Sequence, residues 1–385
     1  MERPASTGGD PAEQVPGDPR NPRPGGSPDA WSTLANLVAL AALAVLALGL
    51  REFGGSLAPI LLALVLVVVV DPVRARLIDR GLPPWIGLLA LTGVAYGILA
   101  AFTGAIIWAG TRLADYLTTA DYDTRLTELQ DDSARWLSDR GLSQETIDRG
   151  LQTVDLGSVN GYVVQSLTEM LSILGLVSIV VIAVALLALD ATGFHRALTG
   201  TVRYHRPAVA AAFIEFARGT RRYFAVYTLF GLVVASLQVA FMWVVGVPLA
   251  LVWGLLSLLA SYIPNLGIII ATVPPVAVAF LEDGWVSAVV VATGLLAINQ
   301  VVDSVAKPKV VGNAVGISAT LTFVSLILWA WVFGAVGALL AVPLTLFMKA
   351  LLVDANPDAR WLGALISLTP ERAPIAATGD DEGAS

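Results

Sequence analysis

The sequence predicts an all-α polytopic membrane protein. It should have about eight transmembrane helices, an interrupted or re-entrant hairpin and a small extracytoplasmic helical insert. Three observations predict this. Of 385 residues, 56% are hydrophobic and only 14% charged, where soluble domains carry about 25% charged residues. The mean hydropathy of +0.75 implies more apolar surface than soluble cores can cover. The charges are also segregated. Residues 53–70, 81–111 and 310–348 contain none, 223–302 contain only Glu282 and Asp283, and 161–189 contain only Glu169. Uncharged apolar stretches of 18 or more residues are long enough to cross the ~30 Å hydrocarbon layer as helices. The short alternating strands of a barrel are not visible.

Composition excludes other classes. A soluble enzyme and a disordered chain do not fit the hydropathy. A nucleic-acid binder needs a basic face, and the net charge is -7. The chain has no cysteine and two histidines, so thiolate sites are excluded and no metal centre or cofactor is expected.

Residues 1–30 hold seven Pro and five Gly, which predicts a disordered tail and not a signal peptide. Spans are expected near 33–50, 54–70 and 85–110 within 31–111, then 164–189 within 161–189. Further spans are expected at 223–246, 285–302, 315–333 and 335–352 within a core of 223–353. Residues 354–385 form a second tail. Loop 71–84 carries Arg74, Arg76 and Arg80, and connector 190–222 carries six Arg, so both are expected in the cytoplasm. Segment 112–160 carries ten acidic and five basic residues and should face outward. This path puts the N-terminus inside a multi-pass cytoplasmic-membrane protein. Segment 203–222 reads as a helix with Phe213, Phe216 and Phe224 on one side. It either lies at the inner interface or is a solvated connector.

The region 249–281 is interrupted. An apolar run reaches Tyr262-Ile263-Pro264-Asn265-Leu266-Gly267 and resumes to Leu281. Pro264 removes a backbone donor and Gly267 permits unusual dihedrals, so the helix should break there. The two arms form either two short spans or a re-entrant hairpin. Broken backbone at membrane depth must be buried in protein or line a cavity, and it is a route to a transporter site. An ordinary cytoplasmic loop is the alternative. Span 285–302 ends in Asn299, Gln300 and, just beyond, Asp303, spaced three and four apart on one helix face. A carboxylate at membrane depth should face protein or water. Pro264, Asn265, Gly267, Asn299, Gln300 and Asp303 are therefore the candidate pathway residues. The final apolar stretch should turn as a hairpin near Phe333-Gly334, with Gly334 and Gly337 allowing close packing.

Several blocks together resemble the autoinducer-2 exporter family of permeases. They are Pro59, Asp71-Pro72 with Arg74, Arg76 and Arg80, Asp190, Gly246-Val247-Pro248, the Ile263–Gly267 break and Pro274. Gln300, Asp303, Pro308 and Gly312 follow, then Val315-Gly316-Ile317-Ser318 and Gly334, Gly337 and Pro343. Ser304 and Ala319 depart from the pattern, which has Asn and Pro there. The resemblance covers residues 33–352. It implies about eight spans, an oligomeric assembly, and export of a signalling furanone or exchange of sodium or protons. It also implies that Pro274, Pro308, Gly312, Gly334, Gly337 and Pro343 serve structure or gating. No GxxxxGK[ST] phosphate loop occurs, so transport should be gradient-driven or passive. The leading expectation is a secondary transporter for a small solute. The alternatives are a sodium/proton antiporter using Asp303, or a non-transporting membrane scaffold or intramembrane enzyme. Catalysis is weakly supported, because no HExxH occurs and no span serine has an obvious paired base.

Overall fold

The computed structural model describes residues 30–117, 135, 138, 159–306 and 318–356. The expected 1–30 tail apart from Ala30, nearly all of the 112–160 insert, Pro308 with Gly312, and the tail beyond 356 lie outside the described residues. Residues 1–49 form one unit and 50–385 another. The described part of the first lies in helix α1 (Ala30–Glu52), an apolar helix with Arg51 in its last turn.

The second unit contains α2 (Gly54–Asp79), α3 (Pro84–Leu117), α4 (Val159–Ala197), α5 (Pro207–Val245) and α6 (Ala250–Ala260). It continues with α7 (Gly267–Val301), α8 (Ala319–Leu339) and α9 (Ala341–Lys349). No strand occurs among the described residues. Among the described residues, six helices are long and apolar enough to cross a membrane: Gly54–Asp79, Pro84–Tyr116, Gly175–His205, Pro207–Val245, Gly267–Ser304 and Thr320–Leu339. The protein is an all-α, multi-pass membrane protein.

Expected loop 71–84 is corrected by the structure. α2 runs through Asp71-Pro72 to Asp79, and only Arg80–Pro83 connects it to α3. A proline inside a helix frees the carbonyl four residues earlier, here that of Val68. Arg221 of α5 takes that carbonyl through Nε at 2.7 Å. Its Nη2 reaches Asp71 at 2.9 Å, and Asp71 also pairs with the buried Arg74 at 2.7 Å. Arg74 in turn donates to Thr192 of α4 at 3.3 Å. Of the segment read as a loop, Arg74 therefore ties α2 to α4, and Asp71 ties it to α5 through Arg221.

α2 and α4 run in the same direction. Arg74 meets Thr192 near the end of α4, whereas Tyr96 of the returning α3 donates to Val181 at 2.9 Å. Ala63, Val67 and Val70 share one apolar cluster with Val180, Val184 and Ala188. The 80–83 turn and the α4–α5 elbow thus lie at one end of the bundle, rich in arginine. At the other end Tyr116 donates to Glu282, beside Gly284, whose φ of 77° and ψ of -166° divide α7 into two arms.

The expected 203–222 helix is also adjusted. The chain bends at Arg206 (φ -140°, ψ 69°) and Pro207 opens α5. Phe213 and Phe216 pack edge-on against Phe347 of α9, and Phe224 packs on Tyr262. The aromatic side faces protein, and Arg206, Arg218 and Arg222 are exposed. The expected span 335–352 divides at Leu340, leaving α9 with nine residues before a π-helical turn, Ala350–Asp354.

Candidate functional site

α6 has eleven residues and rises about 16 Å, half the hydrocarbon thickness. Its bend into α7 therefore stands inside the bundle. Tyr262 lies 6.3 Å from Phe102, which is midway along α3, and packs against Phe224 and Thr228 midway along α5. The Thr228 hydroxyl donates to Phe224 O at 2.7 Å, so the Tyr262 hydroxyl is the donor in their 2.8 Å contact. Tyr223, buried on α5, donates to Tyr262 O at 2.8 Å. Two tyrosines and a threonine thus fix the bend against α5.

The bend's backbone differs from the sequence reading. The left-handed residue is Asn265 (φ 64°), not Gly267. Asn is among the few residues that tolerate this region. Gly267 is required for space instead: a Cβ there would stand 2.1 Å from Ala260 O. Pro264 deprives that same carbonyl of its helical partner, and Ile263 N fills the role at 2.9 Å.

Beside the bend is a cavity of about 410 Å³, within the usual range of ligand pockets. Tyr227, Phe230, Gly231 and Val234 of α5 form one wall, and Ser257 and Ala260 of α6 another. Ser261, Ile263, Pro264 and Asn265 supply the bend, and Gly267, Ile268 and Ala271 the first arm of α7. Asn299, Asp303 and Thr322 close it. Asn265 and Asp303 are exposed, whereas Val234, Ser257, Gly267 and Ala271 are buried. The mouth therefore lies by Asp303 and Asn265, and the floor is set deeper in the bundle.

Of the six candidate pathway residues, Pro264, Asn265, Gly267, Asn299 and Asp303 line this cavity. Gln300 does not: it is exposed and donates to Ser304 at 2.8 Å. A helix turns about 100° per residue, so positions 299 and 303 align more closely than 299 and 300. Among the residues expected to serve structure or gating, Pro274 lies inside the first arm of α7 and Pro343 is buried in α9. Gly334 has φ 62° and ψ -142° at the turn after Phe333, and Gly337 sits where a Cβ would strike Trp329 O. Pro308 and Gly312 lie outside the described residues.

The sequence reading missed Tyr227, Ser257, Ser261, Thr322 and, one turn below the cavity on α5, Gln238. Gln238 is 1% exposed and its Nε2 has no hydrogen-bond partner. An unmet buried donor costs about 1–3 kcal/mol. The available signal was its polarity: it is the lone amide side chain in the uncharged span 223–246.

The family model described as AI-2E family transporter matches residues 37–356. The chain belongs to the AI-2E transporter family. The AI-2 transport protein TqsA of Escherichia coli (strain K12) is 26% identical over 86% of the chain and 95% of its own length. A protein of Mycobacterium tuberculosis named for transport is 30% identical, over 84% of the chain and 90% of its own length. One from Haemophilus influenzae, also named for transport, is 26% identical over 84% and 94%. The transporter therefore shares its length, not one segment, with these relatives.

Proposed function

We propose that this membrane transporter moves a small solute through the cavity beside the 261–266 bend, driven by an ion gradient and without ATP. The observation that carries the reading is the lining: Asn265, Asn299, Asp303, Ser257, Ser261, Tyr227 and Thr322 converge within an apolar bundle. Polar groups at membrane depth are costly, and a path for solute or ion is the usual reason to keep them there. The α6 arm is too short to cross, which supports a re-entrant hairpin with its tip on the path. The arginine-rich end would face the cytoplasm of a cytoplasmic-membrane protein, with the N-terminus inside. The role is transport and not catalysis.

Asp303 in the lining favours one second reading, sodium/proton antiport with this carboxylate as carrier. The experiment that tests both uses purified protein in sealed vesicles under imposed proton or sodium gradients. Accumulation of an organic solute that collapses with the gradient supports the first reading. Sodium uptake coupled to internal pH change, lost in Asp303→Asn, selects the second. Vesicles that pass neither sodium, protons nor any organic solute tested would defeat both.

A further inference from the structure

We propose that the solute path continues beyond the cavity, past Gln238, and is closed there by a gate of Met242, Trp253, Val291 and Leu295. The inference rests on the cavity being the solute site.

The lining faces continue in register. On α5 they step from Tyr227 through Gly231 and Val234 to Gln238 and Met242. On α6 they step back from Ser257 to Trp253. On the second arm of α7 they step back from Asp303 through Asn299 to Leu295 and Val291. Steps of three, four or a multiple keep one helix face, so the helices that wall the cavity also wall what lies beneath it. There the side chains change character. Met242, Trp253, Val291 and Leu295 join Val247, Ala250 and Val278 in one apolar cluster, and Met242, Val291 and Leu295 have no exposure at all. Ala109, Leu113 and Tyr116 pack on it from the final turns of α3, so the block stands toward the end where Tyr116 meets Glu282.

Gln238 lies between the open cavity and the closed cluster. Buried polar groups are nearly always hydrogen-bonded, so each exception needs a reason. A leucine or methionine would fill this position without leaving a donor unpaired. The amide is idle with the gate shut and finds partners when water or an oxygen-bearing solute passes. The gate being apolar explains why it seals: a dry cluster offers no hydrogen bonds to a polar solute.

The chain has no cysteine, so single cysteines report without background. Val234→Cys, Gln238→Cys, Met242→Cys and Leu237→Cys would each be purified and reconstituted in vesicles. Leu237 is 47% exposed on the outer side of α5 and reports the lipid-facing rate. A membrane-impermeant methanethiosulfonate would be added to each side, with and without a proton or sodium gradient. Val234→Cys is expected to react at least about tenfold faster than Leu237→Cys throughout, and Gln238→Cys and Met242→Cys to do so under the gradient that opens the gate, since only a hydrated thiol ionises to the reactive thiolate. Fast reaction at Val234→Cys with positions 238 and 242 as slow as 237 under every gradient would overturn the gate and leave the cavity reading standing. Slow reaction at Val234→Cys as well would overturn the cavity reading, and the gate with it. Gln238→Met should melt at or above the wild-type temperature. A lower melting temperature would show the amide to be a structural member and sink its place on the path.

Discussion

The chain turns back within apolar sequence at 261–267 and again at 334–340, and the two turns share a backbone device. In each, one residue takes a positive φ, Asn265 at 64° and Gly334 at 62°. In each, a glycine two or three residues later presses on a carbonyl of the incoming arm. Gly267 faces Ala260 O, and Gly337 faces Trp329 O at a would-be Cβ distance of 1.9 Å. The linings differ. The first turn borders Asn265, Ser261, Asn299 and Asp303. The second lies in an apolar cluster with Leu326, Trp329, Phe333, Leu340 and Leu344. A broken helix is therefore not in itself a transport site. The backbone makes the turn, and the side chains brought to it decide what it can do.

That contrast is open to attack by mutation, with thermal unfolding followed by tryptophan fluorescence and gradient-driven flux measured in vesicles. The largest stability loss is expected from Asp71→Ala, which leaves the buried Arg74 without its carboxylate and removes the ion pair that ties α5, the helix that anchors the first turn, to α2. Removing one partner of a buried ion pair typically costs about 3–5 kcal/mol. An unchanged melting temperature would mean that this junction does not hold α5.

Next come Gly267→Ala and Gly337→Ala. Each forces a methyl into a backbone carbonyl, and such overpacking costs about 1–3 kcal/mol. The shared device predicts similar losses from both. A large loss at one and none at the other would break the equivalence of the turns.

The tyrosine and tryptophan anchors sharpen the comparison further. Tyr223→Phe removes the buried bond to Tyr262 O, and Trp329→Phe removes the 3.1 Å bond to Thr345. Each should cost about 0.5–1.5 kcal/mol. Only Tyr223→Phe should also slow flux, because only its turn borders the cavity. Equal slowing in both variants would erase the functional difference between the two turns.

The smallest stability effect belongs to Asp303→Asn. Asp303 is exposed at the cavity mouth, and exposed substitutions stay within about 0.5 kcal/mol. Flux should nevertheless fall sharply, while Gln300→Ala outside the lining should transport normally. Unimpaired flux in Asp303→Asn would remove the carboxylate from the path.

How much of this was legible depends on whether the signal was local. The break at Pro264 was visible because proline acts on its own residue and the carbonyl four before it. The need for Gly267 was visible, but the cause was misread: its constraint is a neighbour's carbonyl, which no local rule reveals. The Asp71-Pro72 loop was wrong for the same reason. Proline and clustered charge read as a turn, yet Arg221, 150 residues away, takes the Asp71 carboxylate and the carbonyl that Pro72 frees. The polar end of α7 was legible from spacing, and Gln300 was misplaced because three residues in a five-residue window span too wide an arc. Gln238 and Tyr227 needed the packing of α5 on two other helices before they belonged to anything.

α5 has 39 residues and is about 58 Å long, nearly twice the thickness of the hydrocarbon layer. Arg221 fastens it to α2 at an intermediate point. Tyr227 on the cavity wall lies about 9 Å beyond that point, and Pro207 at the elbow about 21 Å before it. α5 is thus fixed at several points along its length, by Phe213 and Phe216 on α9, by Arg221 on α2 and by Tyr223 on the bend, so the elbow and the cavity wall belong to one braced strut.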